Sequence, residues 1–265
     1  MRTIRIAMVL ARAALRSEIQ YRSNFLMMAA GVVYQCTGFA FIWVILARFG
    51  SIGGWSVGEV AFLFGMRLCA HGLWVAPFHR LTDLDAIIRE GELDRFLVRP
   101  LNLLVQLLTS KLWLGSFGDI AGGVVILSAA SAVADIRWSP GSVFYLALAL
   151  AGGALVEVAV QLAAAALTFR ILSTKELREM IDDVFNTFGS YPLKIYGTSG
   201  QFLLTFVLPL AFVAYLPATV LLGRTEELEV AAAVAYMAPL VGVACFCLAY
   251  LFWCRQLRHY QSAGH

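Results

Sequence analysis

Apolar residues dominate six stretches of the chain, at residues 24–47, 57–78, 103–134, 142–169, 201–222 and 231–254. Each is long enough to supply the roughly 20 residues of helix that cross a bilayer. The third is interrupted by Thr109, Ser110, Lys111 and Asp119, so its lipid-crossing part is placed at 113–134, with 101–112 as an interfacial lead-in. The fifth contains Pro209 and Pro217. Irregular backbone at bilayer depth needs protein or water to cover it, so the second half of 201–222 reads as straight helix or as a re-entrant segment. Three polar segments also carry helical spacing. Residues 3–20 place Ile4, Met8, Ala11, Leu15 and Ile19 on one face with Arg5, Arg12 and Arg16 beside it, the pattern of a helix lying in the interface. Segment 79–100 holds Thr82-x-x-Asp85, then Leu84, Ile87 and Ile88, with Gly91 as a stop. Segment 173–187 opens on Ser173-x-x-Glu176 and continues through Leu177, Met180, Ile181 and Val184. The latter two read either as connectors shielding one mouth of the bundle or as docking elements for another protein.

Composition turns that pattern into a fold class. Of 265 residues, 60% are hydrophobic and 14% charged, against about half and a quarter in soluble domains. One water-soluble core of this size cannot hide such an excess. The expectation is an all-α integral membrane protein, a single transmembrane domain over 1–265 with six spans. Lys and Arg set its orientation. Sixteen fall on the side shared by the two termini, counting Lys111, Lys175, Arg178 and Lys194, and only Arg48, Arg137 and Arg224 fall opposite. Both termini are therefore expected in the cytoplasm, with short external loops at 49–56, 135–141 and 223–230. The stretch 6–11, broken by Arg12, is too short for a signal-peptide core. A net charge of +3 with dispersed Arg residues gives no footprint for nucleic acid.

Chemistry for catalysis is scarce. No lysine follows a phosphate-cradling glycine loop, and there is neither H-E-x-x-H nor G-x-S-x-G. The five cysteines sit in apolar runs without a C-x-x-C pair. His71 and His79 are two turns apart, and His259 and His265 lie in the polar tail. No catalytic residue, metal site or bound cofactor is expected, which favours transport or scaffolding over an enzyme. Two ionisable residues stand out because burial in lipid costs several kcal/mol. Arg67 is central in the second span and Glu157 in the fourth, so an interhelical ion pair is expected. It either fixes helix register or lines a path, which His71, Trp74 and Gln161 would share. In the second span Gly58, Ala61, Gly65, Cys69, Gly72 and Ala76 form a small-residue stripe suited to close helix contact. Gly153, Ala154, Glu157, Gln161, Ala164 and Thr168 form a small and polar one in the fourth. Asp119 is expected near Lys111 or water.

Two segments carry a family resemblance. The run Ile87-Ile88-Arg89-Glu90-Gly91-Glu92-Leu93-Asp94-Arg95-Phe96-Leu97-Val98-Arg99-Pro100-Leu101 resembles the I-x-x-G-x-L-D-x-x-L-x-R-P-L stretch between spans two and three in a branch of the ABC type-2 transporter permeases. Tyr191-Pro192-Leu193-Lys194-Ile195-Tyr196, then Leu208-Pro209-Leu210-Ala211-Phe212 and Tyr215-Leu216-Pro217-Ala218, is similar to that branch's proline-punctuated fifth span. Tyr21-Arg22 fits as well.

The resemblance implies the membrane subunit of an exporter in the cell membrane. ATP and Mg would be bound by a partner ABC ATPase in two copies, beside a second permease, identical or a six-span sister. It makes 82–100 a coupling element, with Asp83, Asp85, Arg89, Glu90, Gly91, Asp94 and Arg95 toward the ATPase. Pro209 and Pro217 would belong to an extracellular closing element. The aromatic and small helix faces favour an amphipathic substrate. An ion-coupled secondary transporter and a non-transporting scaffold remain the alternatives.

Overall fold

The computed structural model describes residues 2–134, 136–171 and 173–261. The side chains of Ile4, Arg5, Met8 and Ala11, and the whole of His265, lie outside the described residues. Helix α1 (Arg2–Ile19) leads into α2 (Arg22–Phe49), whose Leu26, Tyr34 and Phe41 are largely exposed, as lipid-facing residues are. A two-stranded turn, β1 (Ser51–Ile52) and β2 (Trp55–Ser56), precedes α3 (Val57–Phe78). Helix α3 starts on a reciprocal cap. The Glu59 amide donates to Ser56 Oγ (3.4 Å) and the Ser56 amide to Glu59 Oε2 (2.7 Å).

Short α4 (Leu84–Arg89), α5 (Glu92–Leu97) and α6 (Leu103–Ser110) follow. Gly91, at φ +68°, breaks α4 from α5 in the left-handed region. Then come α7 (Ser116–Val133), α8 (Pro140–Ala166), α9 (Lys175–Phe188), α10 (Gly197–Phe202), α11 (Tyr215–Leu221), α12 (Ala232–Tyr236) and α13 (Ala238–Leu257). The largely helical chain, with five helices among the described residues long and apolar enough to cross a membrane, or six if one bent pair counts as a span, is an all-α integral membrane protein. In lipid, only intrahelical bonding satisfies each backbone group of such a segment.

Close backbone approach organises the bundle, because in lipid van der Waals packing replaces hydrophobic drive. The small-residue stripe of α3 meets α7. A Cβ on Gly65 would stand 2.9 Å from the Leu127 amide nitrogen, and one on Gly72 2.9 Å from that of Ile120. Helix α8 packs on the other side of α3 and on α13, where a Cβ on Gly152 would meet Pro239 Cα at 2.6 Å. Tyr260 Oη donates to Asp94 Oδ1 (3.0 Å), and α1 packs on α6. The N-terminal helix, the C-terminal segment and α4–α6 thus share one end of the bundle, the terminal face.

The structure redraws the region after α8. Segment 201–222 is no straight span: Leu193–Val207 and Pro209–Leu221 meet at 74°. Their bend packs on α8, where a Cβ on Gly153 would meet Val213 Cα at 3.1 Å. Helix α9, expected as a connector or a docking element, begins at the terminal face beside Thr82 and Asp85 and ends beside Arg67, at the middle of α3. Lys194 and Ile195 then lie against Gly53 at the far end of α3. Between residues 174 and 194 the chain therefore passes from one end of the bundle to the other, and 193–222 is a hairpin opening on the face opposite the termini. Lys194 moves to that opposite face, leaving the charge count at fifteen against four. The bias survives.

Both expected capping boxes on the terminal side are absent. Thr82 Oγ1 donates to the His79 carbonyl, and Ser173 Oγ donates to Asp85. Thr82 does not cap α4, and Ser173 Oγ accepts from the Lys175 amide (3.4 Å) without a reciprocal bond from Glu176.

Candidate functional site

Arg67 joins three helices at mid-depth. Its Nη1 lies 3.4 Å from Glu157 Oε1 on α8, at ion-pair range without a hydrogen bond. Its Nε donates to the Phe185 carbonyl (3.3 Å) and its Nη2 to Asn186 Oδ1 (2.9 Å), both on α9. Arg67 and Glu157 are 3% and 2% exposed, so neither charge has water to fall back on. His71 Nδ1 sits 3.1 Å from Glu157 Oε2 and 3.2 Å from Trp74 Nε1. That nitrogen carries a proton for Glu157 or a lone pair for the Trp74 N–H, but not both. The place of the proton on the His71 ring therefore decides which neighbour Nδ1 serves.

Sequence reasoning found the Arg67–Glu157 pair from matched depth but missed α9 as its third member. The available signal was the helical spacing of Leu177, Ile181, Val184, Phe185 and Phe188. Helix α9 turns that stripe inward and leaves Glu176, Glu179, Asp183, Asn186 and Thr187 exposed on the opposite side. On this face Lys175 pairs with Glu179 at 3.7 Å, Asn186 accepts from Arg67, and Met180 is an exposed apolar member. Such a polar face beside the middle of α3 cannot rest against acyl chains. A cavity of about 250 Å³ opens next to it, lined among others by Trp74, Asp83, Gln161, Glu179 and Asp182. Trp74 and Gln161 thus sit together at one opening, and His71 one layer deeper. Asp119 is remote from this site and accepts from Gln35 on α2 (2.7 Å), rather than meeting Lys111.

Asp85 ties the terminal-face segment to α9. Its carboxylate accepts from Thr168 Oγ1 (3.0 Å), Ser173 Oγ (2.9 Å) and the Thr174 amide (3.1 Å), and meets Arg178 Nη2 at 3.3 Å. Arg178 Nη2 also donates to the Thr82 carbonyl (3.1 Å). Burial works to raise the Asp85 pKa, but the Arg178 charge and the three hydrogen bonds outweigh it and hold the carboxyl below its ordinary value. A carboxylate at the start of α9 also suits the helix dipole.

Asp85 is 5% exposed and so cannot face a partner; that expectation fails because the residue is consumed in holding α9. Asp83 is taken up by Arg80 (3.3 Å), which also meets Glu92 (3.2 Å), and Asp94 by Tyr260. Arg89, Glu90 and Arg95 remain exposed, with Leu97 and Val98 beside them.

At the opposite face, Arg224 binds Glu59 Oε2 (2.7 Å), Glu227 Oε1 (2.7 Å) and the Gly54 carbonyl (2.8 Å), with its guanidinium 5.4 Å over the Trp55 ring. Tyr215 stacks on Trp55 (5.6 Å). These contacts hold the hairpin carrying Pro209 and Pro217 against the end of α3. Among the described residues no group of His, Cys, Asp and Glu is arranged to hold a metal ion.

Comparison with curated proteins and with solved structures gives no significant match. The family model described as ABC-2 family transporter protein matches residues 32–264, which takes in the Arg67 site, α9 and the hairpin. A polar seam inside a helical membrane bundle, joined to a charged terminal face, is in keeping with a transport subunit that works with an ABC ATPase. The chain belongs to the ABC-2 family of transporter membrane proteins.

Proposed function

We propose that this chain is the permease of an ABC exporter in the cell membrane, with both termini in the cytoplasm. It would move an amphipathic substrate outward on ATP hydrolysed by a separate ATPase, two ATPase copies serving two permeases. The observation that carries this reading is the exposed polar face of α9 at the depth of Arg67. Exposed Glu179 and Asp183 need water or another subunit opposite them, and a second permease with a wet path between the two copies supplies both. His71, Trp74 and Gln161 border that path.

The coupling route follows from Asp85. Arg89 and Glu90 form the ATPase-facing surface at the end of α4, and Gly91 separates α4 from α5. Movement of α4 passes through the Asp85 carboxylate to Thr174 and Arg178, and so to the start of α9. A rigid helix anchored this way shifts as a body, moving its polar face against the partner copy. The hairpin with Pro209 and Pro217 closes the external end.

The test is co-expression with an ABC ATPase encoded beside the gene, followed by co-purification and ATP hydrolysis assays. Arg89→Ala with Glu90→Ala removes exposed charges without touching the bundle. Loss of the ATPase from the purified complex with unchanged permease yield supports the coupling surface. Full retention refutes it. Gradient-driven transport without ATP would favour the secondary transporter, and efflux unaffected by deletion of the protein would favour the scaffold.

A further inference from the structure

A second site lies on the terminal face, away from α9. A groove of about 540 Å³ runs between α1 and the α5–α6 turn. Small residues of α1, among them Ala14 and Ser17, make one wall and leave room; Arg95, Phe96 and Arg99 make the other. Arg80 and Glu92 also line the groove and pair with each other, Arg80 meeting Asp83 as well. Arg95 and Arg99 form no salt bridge among the described residues, and both are exposed. Four residues apart, they point two guanidinium groups along one side of the groove, and Arg99 lies 5.8 Å over the Phe96 ring. The groove ends at Ser110. Next to it, Lys111 Nζ sits 5.8 Å over the Trp113 ring, and Trp with a basic side chain marks the headgroup level of a bilayer.

We infer that this groove binds the phosphate of an anionic phospholipid headgroup, held between Arg95 and Arg99 and roofed by α1. Two guanidinium groups without carboxylate partners match a phosphodiester, which they can grip through paired N–H donors. The level of the groove and the interfacial course of α1 point to lipid rather than a soluble anion, and the cytoplasmic leaflet is where acidic lipids concentrate. A headgroup there fastens α1 to α5. The leaflet argument rests on the cytoplasmic termini of the proposed function; the inference is otherwise independent of export.

The test is titration of the purified full chain in neutral detergent with phosphatidylglycerol or phosphatidylcholine, counting bound lipid by native mass spectrometry. The expected result is preference for phosphatidylglycerol, lost by about tenfold or more in Arg95→Gln with Arg99→Gln. Arg95→Lys with Arg99→Lys retains most of it. Arg255→Gln with Arg258→Gln, on the same face but outside the groove, keeps the wild-type preference. Ser17→Trp fills the groove without changing charge and abolishes the preference, which covers the case in which the Gln pair fails to fold. Equal binding of the two lipids overturns the inference, as does wild-type preference in the Gln or Trp variants or equal loss in the Arg255/Arg258 control. Displacement of phosphatidylglycerol by millimolar inorganic phosphate overturns the lipid as its source.

Discussion

At the scale of single residues, the costly groups are those that stitch helices together. Arg67 spends its guanidinium on Glu157, Phe185 and Asn186. Removing one member of a buried pair strands the other, at a cost of about 3–5 kcal/mol. Glu157→Leu is therefore expected to lower the melting temperature in detergent sharply, while Arg67→Met with Glu157→Leu recovers most of the loss. No recovery would show that Asn186 and Phe185 carry more of the bonding than Glu157. Asp85 gives a pH prediction. Its folded pKa lies below the unfolded one, so the stability it contributes is present above the unfolded carboxylate value of about 3.9. That stability is lost as pH falls through the lower folded value. Asp85→Asn should flatten the acid side of the stability profile and destabilise the protein at neutral pH; an unchanged profile would remove Asp85 as the tie to α9. The depth match that pairs Arg67 with Glu157 is legible in the sequence because both sit midway along clean apolar runs. The burial of Asp85 is not, since a carboxylate in a charged connector looks the same whether it meets solvent or caps a helix made 89 residues later.

At the scale of elements, small-residue stripes predict contacts well and polar helices poorly. The Gly65 and Gly72 stripe is readable because its spacing admits a partner helix, and α7 fills it. Gly65→Leu should cost about 1–3 kcal/mol by overpacking against the Leu127 backbone. Gly38→Leu, where nothing lies within 4 Å of a built Cβ, should cost far less in the same melting assay. Helix α9 escapes a hydropathy reading because half its surface is polar, and the apolar run after it suggests a span that the structure folds into a hairpin. Sidedness tests this. In a cysteine-free background, Ser173→Cys and Lys194→Cys should react with a membrane-impermeant thiol reagent from opposite sides of the membrane. Labelling of both from one side would return α9 to a connector.

At the scale of the molecule, three parts are joined in order: a charged terminal face, the Asp85 link, and helix α9, which reaches the middle of α3 with a largely polar outward surface. The family match covers the chain from residue 32 to 264, and the coupling and path are the proposals built on it. The most direct test is the reactivity of Asp183→Cys and Asn186→Cys in the cysteine-free protein toward a small charged thiol reagent, with Leu248→Cys as the lipid-facing reference, 67% exposed on α13. The account predicts that both α9 positions react much faster than Leu248→Cys, and that bound ATPase with ATP changes their rates. Reaction no faster than at Leu248→Cys would mean that α9 lines no aqueous path.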